Sequence, residues 1–258
     1  MKPPIFFIHG AFADASVWND FIPFFKAAGF KTFATTIYPD LRGKTKNDEL
    51  PKLRLNDYII QLKSQIEDFT KENGQKPVII GHSMGGLLTQ KLTEMDLGCA
   101  GIFVTPSPPK GCDVKSLVVL LTHLNIALQN DPTKSYKVWD FGAKWGVLNK
   151  IPENEKDARN AEFIYDSGRA LNDLVNFDQD QFKIGTIDEN KIKVPTLTIG
   201  AAKDRGTLVK THRKTAAKYA RVGGDYIEYP DAGHMIIYEK DAPQLAQDII
   251  AWISKKVK

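Results

Sequence analysis

Cysteine is scarce: the 258 residues hold two, Cys99 and Cys112. Two thiols without metal-ligand spacing make neither a disulfide framework nor a zinc site, so free thiols in a reducing cytoplasm are expected. An excess of either charge is also lacking, since 35 Lys and Arg against 31 Asp and Glu leave a net +4. The lysines are scattered rather than striped, and nucleic acid is therefore not an expected partner. No run approaches the roughly 18 apolar residues that a membrane span needs. The opening Met1-Lys2-Pro3-Pro4-Ile5-Phe6-Phe7-Ile8 is basic and then apolar, like a secretion signal. Its apolar part stops after Ile8 at His9-Gly10 with no small-residue cleavage site, so a buried strand is expected there. Internal repeats and low-complexity tracts are absent.

What is present fits an ordinary globular protein. Hydrophobic residues make up 42% and charged ones 26%, enough apolar material for one domain with an insert. The chain is organised around Gly81-His82-Ser83-Met84-Gly85-Gly86. The apolar run Pro77-Val78-Ile79-Ile80 precedes it, and Leu87-Leu88-Thr89-Gln90-Lys91-Leu92 follows as a helix start. A serine on so sharp a strand-to-helix turn exposes its hydroxyl, and flanking glycines leave room for the strained backbone. The Met84 N–H then opens a helix and points to where an oxyanion would form.

Around that turn, apolar strands at Ile5–Ile8, 31–37, 77–81 and 100–105 alternate with helical patterns at 15–29, 55–73 and up to Met95. Pro23 is expected to break the first of these helices. The alternation calls for a mostly parallel sheet with helices on both faces, an α/β class. From Pro106 to Lys193 no strand is apparent. Helices are expected at 114–128, with an apolar stripe of Val118, Leu121, Leu124 and Leu128, and at 157–173. The sheet resumes at 194–199, followed by a helix at 208–220, a strand at 225–229 and a closing helix at 243–256. The expected domains are a core of 1–105 and 194–258 with a helical insert of 106–193.

Five histidines compete for the role of base. His9 and His82 sit at strand ends with little room to swing, His123 lies in an apolar helix, and His212 is expected to be exposed. His234, in the loop Asp231-Ala232-Gly233-His234 after the last strand, falls at the carboxyl edge where Ser83 emerges. Asp204, shortly after the strand ending at Ile199, is placed to orient it, with Asp113 as the alternative acid.

In sum of motifs, the chain resembles the α/β-hydrolases from the first strand to the last helix. The resemblance rests on His9-Gly10, the Ser83 turn, Asp204 and His234, in that order, although the N-terminal hairpin of many relatives is missing. It implies Ser83 as nucleophile, His234 as base and Asp204 as acid, with the Ala11 and Met84 amides as oxyanion hole. It also implies that the insert is a lid over the site and that no cofactor or metal is required. A small-molecule carboxylic ester of mostly apolar character is the expected substrate, with Phe12, Trp139, Trp145 and Phe163 as its walls. Phe141, Tyr165 and Phe177 are further aromatics of the insert. Thioester, lactone, amide or C–C bond hydrolysis and perhydrolysis use the same triad, and a small-molecule receptor of this fold is the rival of another class. A monomer or homodimer is expected.

Overall fold

The computed structural model describes residues 2–129 and 131–257. In chain order it contains β1 (Ile5–Ile8), α1 (Ile22–Ala27), β2 (Thr32–Thr35), α2 (Leu55–Asn73), β3 (Val78–His82), α3 (Met84–Glu94) and β4 (Ala100–Val104). The connection that follows carries α4 (Leu117–Thr122), α5 (Leu124–Gln129), β5 (Ser135–Tyr136), α6 (Glu153–Glu162), β6 (Asp166–Ser167) and α7 (Gly168–Val175). The chain closes with β7 (Thr196–Ala201), α8 (Val209–Ala220), β8 (Asp225–Tyr229) and α9 (Ala242–Lys256).

Six strands form one sheet in the order β2-β1-β3-β4-β7-β8, and every pairing in it is parallel. The register sets Ile5 beside both Thr32 and Val78, and Val104 beside Ile199. A parallel sheet is covered on both faces, which is why its strands read as unbroken apolar runs. Along β1, Ile5 and Phe7 pack with Phe21, Phe25 and Leu245, while Phe6 and Ile8 pack with Tyr58, Leu62 and Leu88 on the opposite face. All four β1 side chains are fully buried, each contributing about 1.5–3 kcal/mol relative to exposure. Strand order reverses between β1 and β3, so the carboxyl ends of those two strands frame a crevice. Among the described residues no helix is long and apolar enough to cross a membrane.

Several local expectations need correction. Pro23 does not break a long helix: a 3-10 turn, Ala15–Trp18, is capped by Asp14, and Pro23 lies in the first turn of α1, where its missing N–H costs nothing. The stretch 114–128 forms two short helices with His123 between them, and the stripe foreseen there is not a buried face. Leu121 is 43% and Leu128 75% exposed, whereas Thr122 is the buried residue, set against Gly142 and Gly146. The connection is not free of strands, since β5 and β6 pair antiparallel over two residues each, too short to show any periodicity. Finally, 157–173 is not one helix. The chain leaves α6 at Phe163 and passes through Asp166, a fully buried carboxylate that accepts from Arg42 Nη2 at 2.9 Å and from the Tyr58 hydroxyl at 2.7 Å. A buried charge needs such partners, and they fix the backbone here more strongly than helix propensity does.

Candidate active site

Ser83 links β3 to α3 with φ 55° and ψ −120°, a backbone state rarely adopted by a residue with a side chain. Two close approaches make this turn possible. A Cβ on Gly81 would lie 2.1 Å from the Gly85 carbonyl oxygen, and one on Gly85 would lie 2.4 Å from that of Ile8. Only glycine fits either position, and together they press α3 against the ends of β1 and β3.

The Ser83 hydroxyl lies 3.1 Å from His234 Nε2, and His234 Nδ1 lies 2.8 Å from Asp204 Oδ2. An ionised carboxylate only accepts, so Nδ1 carries the ring proton and Nε2 is left to accept from the serine. Asp204 is buried. Burial alone would raise its carboxyl, but His234 and His212 beside it, together with the Thr207 amide, hold it below the ordinary range. Its Oδ1 accepts from the Gly206 and Thr207 amides at 2.7 and 2.8 Å. The loop carrying His234 is pinned as well: the His234 carbonyl accepts from His82 Nε2 at 2.9 Å and from the Thr105 hydroxyl at 3.0 Å.

The other histidines are held in fixed roles. His9 sits between the Gly10 carbonyl, 2.7 Å from Nδ1, and the Ile37 amide, which donates to Nε2 at 3.0 Å. It braces the loop after β1, and burial, followed by Arg42, lowers it to about 4. Burial and then His234 lower His82 to about 3, so both rings are neutral at neutral pH. His123 donates from Nδ1 to its own helix at the Val119 carbonyl, 3.1 Å away, and lines the cavity described below. His212, expected to be exposed, is instead fully buried, with Nε2 2.8 Å from the Thr207 hydroxyl and 3.6 Å from Asp204 Oδ2. One signal was available: Thr211, His212, Thr215, Ala216 and Tyr219 recur at helical spacing and form the buried face of α8.

Among the described residues, neither the Ala11 nor the Met84 amide donates to a protein acceptor, and both belong to the turns that flank Ser83. The loop carrying Ala11 is tied to the insert. Phe12, at φ 62°, donates its amide to Asp166 Oδ2 at 3.2 Å and accepts from the Ile164 amide at 2.9 Å. Arg42 and Asp166, which hold that tie, lie 124 residues apart, and nothing local in the sequence joins them.

A cavity of about 460 Å³ opens onto Ser83 and His234. Phe12 and Phe163 line it, as do Phe177, Leu171 and His123. Trp139 and Trp145 do not. Trp139 donates Nε1 to the Thr122 carbonyl at 3.1 Å and packs on Phe141, whose ring stacks on Trp145 at 5.7 Å, beneath the Arg205 guanidinium. Phe141 is itself half exposed, whereas Trp139 packs on the main core and Trp145 on the acid loop, so this aromatic ladder packs the insert against the core beside the cavity rather than lining it. Asp113 reaches the cavity, but Asp204 is the carboxylate bonded to His234. Among the described residues, no group of three or more His, Cys, Asp or Glu is arranged to hold a metal ion.

Residues 5–247 match the family model described as "Alpha/beta hydrolase family", and the chain belongs to that family. A comparison with curated protein sequences finds no match. Among solved structures, the monoacylglycerol lipase of Paleococcus ferrophilus superposes with a TM-score of 0.71 at 19% identity, covering 99% of this chain and 96% of that one. The methylesterase protein MES16 from Arabidopsis also gives 0.71, at 16% identity over 98% of this chain and 99% of its own. Tomato methylketone synthase I, solved with 2-tridecanone, gives 0.71 at 16% identity over 99% of both chains. At such identities the likeness concerns the fold.

Proposed function

We propose that the protein hydrolyses a carboxylic ester of a mostly apolar small molecule through an acyl-enzyme on Ser83. The observation that carries this reading is the unbroken line Ser83 Oγ, His234, Asp204, ending at a strained turn beside two amides without a protein acceptor among the described residues. Ser83 attacks the ester carbonyl while His234 Nε2 takes its proton, and Asp204 stabilises the resulting imidazolium. The Ala11 and Met84 amides receive the oxyanion of the tetrahedral intermediate. His234 returns the proton to the leaving alcohol, then activates water to release the acid. No organic cofactor or metal enters these steps.

Residues 106–193 act as the lid in this reading, because Leu171, Phe163 and Phe177 supply apolar wall above the serine. The apolar lining favours an acyl or alcohol group without charge. That two of the three similar structures described above are named as a lipase and a methylesterase agrees with an ester substrate. The test combines labelling with a fluorophosphonate and turnover of p-nitrophenyl esters of graded chain length. Wild type should be labelled, and Ser83→Ala should be unlabelled with a turnover number lower by about 10³-fold or more. Undiminished turnover by a clean Ser83→Ala preparation would refute the assignment.

A further inference from the structure

We propose that His212, acting through the Thr207 hydroxyl, is a positioning residue that fixes the Asp204 carboxylate against His234. The inference rests on the triad reading given above and extends it by two residues.

The argument is one of proton placement. The Ala201 amide, at the end of β7, points at His212 Nδ1 from 3.4 Å. An N–H can only donate, so Nδ1 is bare. Burial lowers the ring to about 4, against the pull of Asp204, so the imidazole is neutral and its single proton lies on Nε2. With Nε2 3.6 Å from Asp204 Oδ2, a direct bond is out of reach, but the Thr207 oxygen stands 2.8 Å from Nε2 and accepts the proton.

The consequence falls on the Thr207 hydroxyl. With His212 donating to it, it cannot turn its own proton toward His212. His234 Nδ1, 3.4 Å away, already holds a proton directed at Asp204. Two acceptors remain, the Thr105 carbonyl at 3.2 Å and Asp204 Oδ2 at 3.1 Å. Of these the ionised carboxylate is the stronger acceptor, so His212, by occupying the Thr207 oxygen, turns the Thr207 proton to the Asp204 oxygen that also receives His234. The carboxylate keeps its charge and its rotation is blocked, while the Gly206 and Thr207 amides hold the other oxygen. Any buried imidazole needs a partner for its N–H; what distinguishes His212 is which partner it takes. Here its one proton ends on the oxygen that joins β4, the acid loop and the base.

The test measures kcat and KM for one p-nitrophenyl ester. The variants are His212→Phe, His212→Gln, Thr207→Val and the double variant His212→Phe with Thr207→Val. A hydrogen bond directed at a charged group justifies a fall in kcat of about ten- to a hundredfold for His212→Phe and for Thr207→Val, with KM within about twofold. His212→Gln should regain most of the activity, because its amide nitrogen falls where Nε2 stood and can still donate to Thr207. Because His212 works through Thr207, the double variant should be no slower than Thr207→Val alone. The proposal fails if Thr207→Val keeps wild-type kcat, if the two losses multiply, or if His212→Gln is as slow as His212→Phe. Should His212→Phe not fold, Thr207→Val and His212→Gln decide the matter, since both preserve shape. Each of these failures would leave turnover dependent on Ser83, whereas failure of the triad reading would show in Ser83→Ala itself.

Discussion

Glu239 should make the protein less stable as pH rises from acid toward neutral, and Glu239→Gln should remove that dependence. The carboxyl is 4% exposed. Its Oε2 accepts from the Gly233 amide, next to His234, at 2.7 Å, while Oε1 has no hydrogen-bond partner. Asn149 Oδ1 is likewise unpartnered, and the two oxygens crowd Gly233 so closely that a Cβ there would meet them at 2.8 and 2.6 Å. Burial, reinforced by the charge of Asp204 and opposed by the Gly233 amide, raises Glu239 from 4.5 to about 7. Between those values the folded state holds a proton that the unfolded chain has lost, so stability declines as pH rises. The contribution is fully present below about pH 4.5 and gone above about pH 7, and the ceiling is about 3 kcal/mol. Glutamine stays neutral, can still accept from Gly233, and offers its amide to Asn149 Oδ1. Urea unfolding followed by tryptophan fluorescence at fixed pH values from 5 to 8 measures the effect. The variant should resemble wild type most closely at pH 5 and exceed it by about 2 kcal/mol at pH 8. Parallel stability curves, or a variant weaker at every pH, would refute the burial argument.

Asp204→Asn should keep the fold and lose about 10³- to 10⁴-fold in kcat, because an amide facing His234 Nδ1 favours the wrong tautomer. Asp113→Asn should stay within about twofold of wild type in the same assay, and the opposite ranking would move the acid to the earlier strand. Trp139→Ala gives up ring packing and the bond to the Thr122 carbonyl, so it should cost about 2–4 kcal/mol in denaturant unfolding while ester chain-length preference is unchanged. Phe163→Ala should shift that preference, since Phe163 faces the cavity. A changed preference in the Trp139 variant would extend the binding wall to the aromatic ladder.

Much of the fold was legible because its signals are local. Buried parallel strands are continuous apolar runs, and the Ser83 turn demands glycine at two positions that can be read off directly. Strand ends at Ile8, His82, Ala201 and Tyr229 lie on one edge of a parallel sheet, so His9-Gly10, Ser83, Asp204 and His234 fall in the same neighbourhood by their position after strands alone. Periodicity, however, says which residues share a face and not what that face meets. The stripe on α4 and α5 therefore pointed to burial where the structure leaves leucines exposed, and the tryptophans of the insert pack on the core and the acid loop rather than line the cavity. His212 has the same cause: its helical spacing is visible, but that the face packs on the acid loop follows only from β7 and α8 being brought together. The buried Asp166, Arg42 and Tyr58 cluster that holds the Phe12 amide joins residues more than a hundred positions apart. What the chain alone determined was which segments are the buried strands of the main sheet and which residues stand just past their ends. What tertiary structure decided was the tautomer and partners of each histidine, because those depend on which donors and acceptors long-range packing brings within about 3 Å.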